Sequence, residues 1–220
     1  NPAAGIGGAF TAAFSNDPAV AEAIEAAAPP LLMAGGIFLL FLFLHWLFLE
    51  PKHYGLRGEA TIQKRGFWFF AIVSVILAVL VWFSIEKDPF IAFGATIGSS
   101  LFFITHGFRE NAAQRERQMI KNHRMSDWSK ILYLEVIDAS FSIDGVLGAF
   151  AFTFSVPIIL LGNGIGAVAV RQITVKNIDV VKQYKYLKNG AMYSISFLGV
   201  IMILNAFGHH IPEFVSPVAT

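Results

Sequence analysis

Cysteine is missing from all 220 residues. No disulfide can staple this chain, no thiolate can hold a soft metal, and the redox compartment cannot be read from cysteine usage. Charge is also scarce. Asp, Glu, Lys and Arg make up 14% of the chain, against about 25% in an ordinary soluble domain. The formal net charge of +1 lacks the clustered excess of base that a nucleic-acid surface requires, so no nucleic-acid partner is expected. The opening stretch has neither the basic start nor the compact apolar core of a signal peptide. No nucleophile stands beside a base, which argues against an enzyme. What is abundant is apolar. Hydrophobic residues reach 55%, with 22 Phe, and mean hydropathy is +0.61. A chain of this length fits one domain, and its composition is that of an integral membrane protein whose main partner is the lipid bilayer.

A spanning helix needs ~20 mostly apolar residues, and six runs qualify. They cover about 30–49, 67–85, 90–107, 131–154, 157–172 and 191–207. The expected fold is therefore an all-α polytopic bundle, with a six-helix domain over 30–207. Residues 1–29, small, acidic and closed by Pro29 and Pro30, read as an exposed amphipathic segment or loop, and 208–220 as an exposed tail. The first residue is not Met, and further residues upstream are expected.

Short cytoplasmic loops carry an excess of Lys and Arg. Here fifteen of the sixteen basic residues fall on alternate connections, after the first, third and fifth runs. The exception is Lys87, flanked by Glu86 and Asp88. Six spans with both ends of the chain outside the cytoplasm is the one simple topology that places all three basic loops inside. Trp46, Trp68 and Trp82 sit near span ends, where amphipathic indoles anchor at the membrane interface.

The fourth run, ILYLEVIDASFSIDGVLGAFAFTF, carries Glu135, Asp138 and Asp144. A carboxylate at membrane depth costs at least roughly 2.5 to 3.5 kcal/mol, and such groups commonly mark an ion or proton pathway. Asp138 and Ser142 share a helix face. Asp144 stands about 120° from Asp138 and about 180° from Glu135 on a regular helix, so one ion cannot meet all three acids unless the helix breaks. Gly145 and Gly148 would ease a break between Ser142 and Gly148. Broken helices expose carbonyls that coordinate cations, and oxygen donors of this kind suit Mg, Ca or Mn. The structural alternative is a packing network of paired acids.

In the next run, Gly162, Gly164, Gly166 and Ala167 form a small-residue face that permits close helix approach. Asn163 either ligates a cation or bonds across helices, and Arg171 near the end reads as snorkelling. Thr96, Ser99 and Ser100 form a hydroxyl stripe suited to interhelical bonds. His45 and His106 read as satisfied or interfacial, with a proton-relay role as the alternative. His209 and His210 alone do not make a metal site.

Taken together, these residues resemble the TerC-like membrane proteins of the LysE transporter superfamily, particularly a bacterial branch, over most of the chain. Glu135, Asp138 and Asp144 match the family's intramembrane motif of E, two residues, D, five residues, D, and Asn163 and Arg171 match an Asn followed eight positions on by Arg. The resemblance implies divalent-cation transport in the bacterial inner membrane. Mn²⁺ is the first choice of substrate ahead of Ca²⁺ or Mg²⁺, with a link to tellurium resistance and no covalent cofactor. The implied metal set is Glu135, Asp138, Ser142, Asp144 and Asn163. A related acidic motif that the family carries in an earlier helix is absent here, and Asp138, Ser142 and Asp144 look like the second copy of an inverted repeat. The chain then corresponds to the second half of the family fold, with a missing N-terminal half or a partner membrane subunit. The competing expectation is a non-transporting structural or accessory subunit of a membrane complex.

Overall fold

The computed structural model describes residues 18–51, 56, 58–121, 145–176, 184–209 and 211, which form helices and turns with no strand among them. The helices are α1 (Pro18–Leu49), α2 (Glu59–Gln63), α3 (Trp68–Lys87), α4 (Pro89–Lys121), α5 (Val156–Lys176) and α6 (Leu187–Ala206). All but α2 carry a stretch long and apolar enough to cross a membrane. The chain is a polytopic all-α membrane protein.

Two helix ends depart far from the expected spans. Helix α1 begins at Pro18 and runs through Pro29 and Pro30, although residues 1–29 read as an exposed segment or loop. The stretch ahead of the prolines is rich in Ala and Glu, strong helix formers, and a membrane helix tolerates proline where neighbours re-satisfy the backbone. Helix α4 spans 33 residues, about 50 Å at 1.5 Å per residue, and its polar last turns extend beyond the apolar stretch Pro89–Asn111. Of the fourth expected span, residues 131–144 lie outside the described residues. Residues 145–149 are helical and the chain then turns, so this helix stops short of the expected Phe154.

Helix α1 is the hub, touching α2, α3, α4 and α6. Met33, Ile37, Phe38 and Phe41 of α1 pack with Phe69 and Val73 of α3, Phe102 of α4 and Met202 of α6 in one buried cluster. The Phe41 and Phe102 rings meet edge to face at 5.8 Å, a geometry their quadrupoles favour. Trp46 belongs to this core. It is buried at 3% exposure against Phe43 and Tyr193, because it lies on the central helix. Trp68 and Trp82 are exposed.

Small residues set the crossings. A Cβ added to Gly36 of α1 would lie 2.8 Å from the Gly199 carbonyl oxygen of α6, and one added to Gly199 would lie 2.9 Å from that of Gly36. Gly94 and Gly98 of α4 sit one turn apart against Pro30 and Ala34 of α1, where added Cβ atoms would come within 2.9 Å of the Pro30 Cα and 2.8 Å of the Ala34 Cα. This is the G-x-x-x-G device, in which missing side chains let backbones approach. The glycines of α5 are different. An added Cβ at Gly162, Gly164 or Gly166 meets nothing within 4 Å among the described residues, and 6% of the α5 apolar stretch is buried against 61% of that of α1. The close approach expected there is not made by any described helix.

Candidate functional site

Glu135, Asp138, Ser142 and Asp144 lie outside the described residues. What is described is the chain that leaves them. Gly145 to Ala149 are helical, and both glycines stand where neighbours come near: an added Cβ would lie 4.0 Å from the Asn163 Oδ1 at Gly145 and 3.8 Å from a Leu198 methyl at Gly148. The helix unwinds after Ala149. The Ala151 N–H donates to the Gly148 carbonyl at 3.1 Å and the Phe152 N–H to that of Ala149 at 3.0 Å. The Ser155 N–H then donates to the Thr153 hydroxyl at 3.1 Å, and the Ile159 N–H to the Ser155 carbonyl at 2.9 Å opens α5. Of the expected 142–148 break, residues 145–148 are helical and 142–144 lie outside the described residues; the chain departs from helix at 150–155. At these distances an added Cβ would make ordinary van der Waals contact, so the described neighbours do not by themselves demand glycine at 145 or 148.

Helix α5 brings Asn163, half-buried, against the residue that directly follows Asp144. Arg171 is exposed and lies eight residues on, about 12 Å along the axis, so it is not brought to Asn163. Of the hydroxyl stripe, Thr96 Oγ1 donates to the Phe93 carbonyl of its own helix at 2.7 Å, and Ser99 is buried. Among the described residues no group of three or more His, Cys, Asp or Glu is placed to hold a metal.

Two polar constellations emerge that sequence reasoning missed. The first centres on Glu59 of α2, buried at 3% exposure. Its Oε2 accepts the Leu56 N–H at 3.1 Å and the Asn189 Nδ2 at 3.0 Å, and its Oε1 accepts the Tyr193 hydroxyl at 2.9 Å. A buried carboxylate is tolerated when its lone pairs are occupied in this way. The network ties the connection after α1 to the start of α6, where the Lys188 ammonium also pairs with the Glu50 carboxylate. Leu56 is not the Ser or Thr that opens a capping box, and nothing local points to Asn189 or Tyr193.

The second is a histidine pair. His45 of α1 and His106 of α4 lie with ring centroids 4.0 Å apart. Phe102 stacks on His106 at 5.9 Å and Phe69 meets His45 edge-on at 5.6 Å. Glu50 and Arg109 are charged neighbours of His45, and Glu110 and Arg109 of His106. The expected interfacial histidines are thus one partly buried pair, formed by the α1–α4 crossing.

Comparison with known proteins reaches the family level. Residues 3–220 match the family described as Protein of unknown function (DUF475). A stretch of 88 residues is 27% identical to a protein of Bacillus subtilis (strain 168) named Uncharacterized membrane protein YceF, covering 40% of this chain and 34% of that protein. The aligned part therefore spans about a third of that relative's length. No solved structure matches.

Proposed function

The chain belongs to the DUF475 family, and within it we propose a membrane transporter of divalent metal cations, Mn²⁺ first, with intramembrane carboxylates as the ion-handling groups. The observation that carries this reading is the position of Asn163. Its Oδ1 lies 4.0 Å from where a side chain on residue 145 would begin, so the helix that supplies the neutral oxygen comes near the residue that follows Asp144 in the chain. Three carboxylates in an apolar run call for compensation, and a divalent cation held by carboxylate, hydroxyl and amide oxygens compensates them. Asp138 and Asp144 are assigned as the principal ligands. Ser142 and Asn163 supply neutral oxygens, and Glu135 binds directly or orients a ligand. The TerC-like motif spacing supports the same set. The resemblance supports a bacterial plasma-membrane location, and the basic connections support both ends of the chain lying away from the cytoplasm.

The accessory-subunit reading draws on α5, whose exposed faces among the described residues leave room for another membrane subunit. One experiment separates the two. Asp138→Asn and Asp144→Asn each remove a charge while nearly keeping shape, and each should abolish Mn²⁺ flux in reconstituted vesicles while the protein remains in the membrane. Flux at the unmodified rate in both variants would leave the acids as packing groups and favour the accessory role.

A further inference from the structure

Helix α6 has two unlike sides. Asn189, Leu198, Gly199 and Met202 are buried, on the side that meets α1 and the Glu59 network. On the other, Leu187, Gly190, Ala191, Ser194 and Ile195 recur at spacings of three and four, which places them along one helix face. With Tyr184, Lys185 and Tyr186 they line an open groove of about 890 Å³. We propose that this groove binds an anionic phospholipid of the surrounding bilayer, with the lipid phosphate at Lys185 and an acyl chain lying along α6. The site calls only on the membrane fold and is independent of the transport reading.

The groove is ordered as a lipid is. The membrane-crossing stretch of α6 begins at Leu187, so Tyr184, Lys185 and Tyr186, all exposed, stand at its border. Tyrosine and lysine suit that level, because each sets an apolar body toward the bilayer and a polar tip toward water. Below them the floor lacks bulk. An added Cβ at Gly190 meets nothing within 4 Å among the described residues, Ala191 carries one methyl group, and Ser194 adds one hydroxyl. Leu187 and Ile195 make the apolar wall. From Leu187 to Ile195 the helix rises about 12 Å, most of the roughly 15 Å that one leaflet contributes to the hydrocarbon core.

The charge selects an anion. Lys185 is the one charged residue among those lining the groove, and the carboxylates near the start of α6 are engaged elsewhere. Glu59 accepts from Leu56, Asn189 and Tyr193, and Glu50 pairs with Lys188. The same level holds the N-terminal end of α6, whose dipole adds a modest preference for negative charge. A metal cation would find no carboxylate in this lining. Free phosphate would use the lysine and leave the apolar floor empty, whereas an anionic lipid uses both.

The full chain is assembled in nanodiscs of three parts phosphatidylcholine to one part phosphatidylglycerol, and the lipids it retains on release are counted by native mass spectrometry. Phosphatidylglycerol should be enriched at least threefold over its share of the bilayer. Lys185→Gln keeps most of the side chain and removes its charge; it should lower that retention about fivefold, the worth of one lysine beside an anionic lipid surface. Gly190→Phe fills the floor with Lys185 intact and should lower it at least threefold. Lys64→Gln, at an exposed lysine outside the groove, should leave it unchanged. The site is overturned if phosphatidylglycerol is retained at its bilayer share, or if either groove substitution leaves its enrichment intact. Displacement of the lipid by excess inorganic phosphate would also overturn it, in favour of a free-anion site. So would a Gly190→Phe chain that changes from dimer to monomer with its lipid retention unaltered, which would assign the face to a second copy.

Discussion

Gly98→Ala adds a single methyl group at the α1–α4 crossing, and the structure sets its effect. The new Cβ would sit 2.8 Å from the Ala34 Cα and 2.9 Å from its carbonyl carbon. These are backbone atoms of the central helix, so no side chain can swing aside. The helices must separate, and the Phe38–Phe102 and Phe41–Phe102 ring contacts and the His45–His106 pair on the same crossing loosen with them. Overpacking of this kind costs about 1 to 3 kcal/mol. For a chain of this size, each kcal/mol moves the midpoint by about 2 to 4 °C, so thermal unfolding in detergent should shift down by roughly 2 to 12 °C. Gly162→Ala on α5 is the matched control. Gly162 and Gly166 have the same spacing as Gly94 and Gly98, yet an added Cβ at Gly162 meets no described atom within 4 Å. Replacing a helix-interior glycine by alanine there should stabilise by about 0.5 to 1 kcal/mol. If Gly98→Ala leaves the midpoint unchanged, or both substitutions shift it equally, the close α1–α4 crossing is refuted.

Tyr193→Phe removes one donor from the buried Glu59 carboxylate and should destabilise by about 1.5 to 3 kcal/mol, the range for hydrogen bonds to charged groups; Glu59→Ala, which leaves Leu56, Asn189 and Tyr193 donors without their acceptor, should lose more in the same unfolding assay. Lys188→Met should change stability by less than about 1 kcal/mol, since its ion pair with Glu50 joins side chains that are 61% and 38% exposed, and a larger loss would mean that the pair acts as part of the Glu59 network. For topology, a Cys placed at Ser216 should react with an impermeant reagent added to intact cells and one at Gln118 should not; the reverse pattern would invert the orientation drawn from the basic connections.

Hydropathy and charge are local properties, and they were readable residue by residue. Apolar runs fell on the five described helices, with the N-terminal extension of α1 and the polar C-terminal extension of α4 outside them, because any helix of that composition must avoid water. The basic residues sorted the connections, and the described ones among them, such as Arg65, Arg109 and Lys188, stand at one end of the bundle. The carboxylates Glu135, Asp138 and Asp144, with Asn163, were visible as anomalies of composition, while the geometry of the three acids lies outside the described residues.

What hydropathy could not determine is the rotation and register of each helix. Two glycine pairs of identical spacing, Gly94 with Gly98 and Gly162 with Gly166, have opposite surroundings, one pressed on the α1 backbone and the other open among the described residues. The same holds for polar groups far apart in the chain. His45 meets His106, and Glu59 meets Asn189 and Tyr193, only because α1 occupies the centre and α4 and α6 cross it at small residues. Spacing along a chain defines a helix face; which face meets which neighbour is a property of the whole packed bundle, where backbone approach and side-chain volume must be satisfied at every crossing at once.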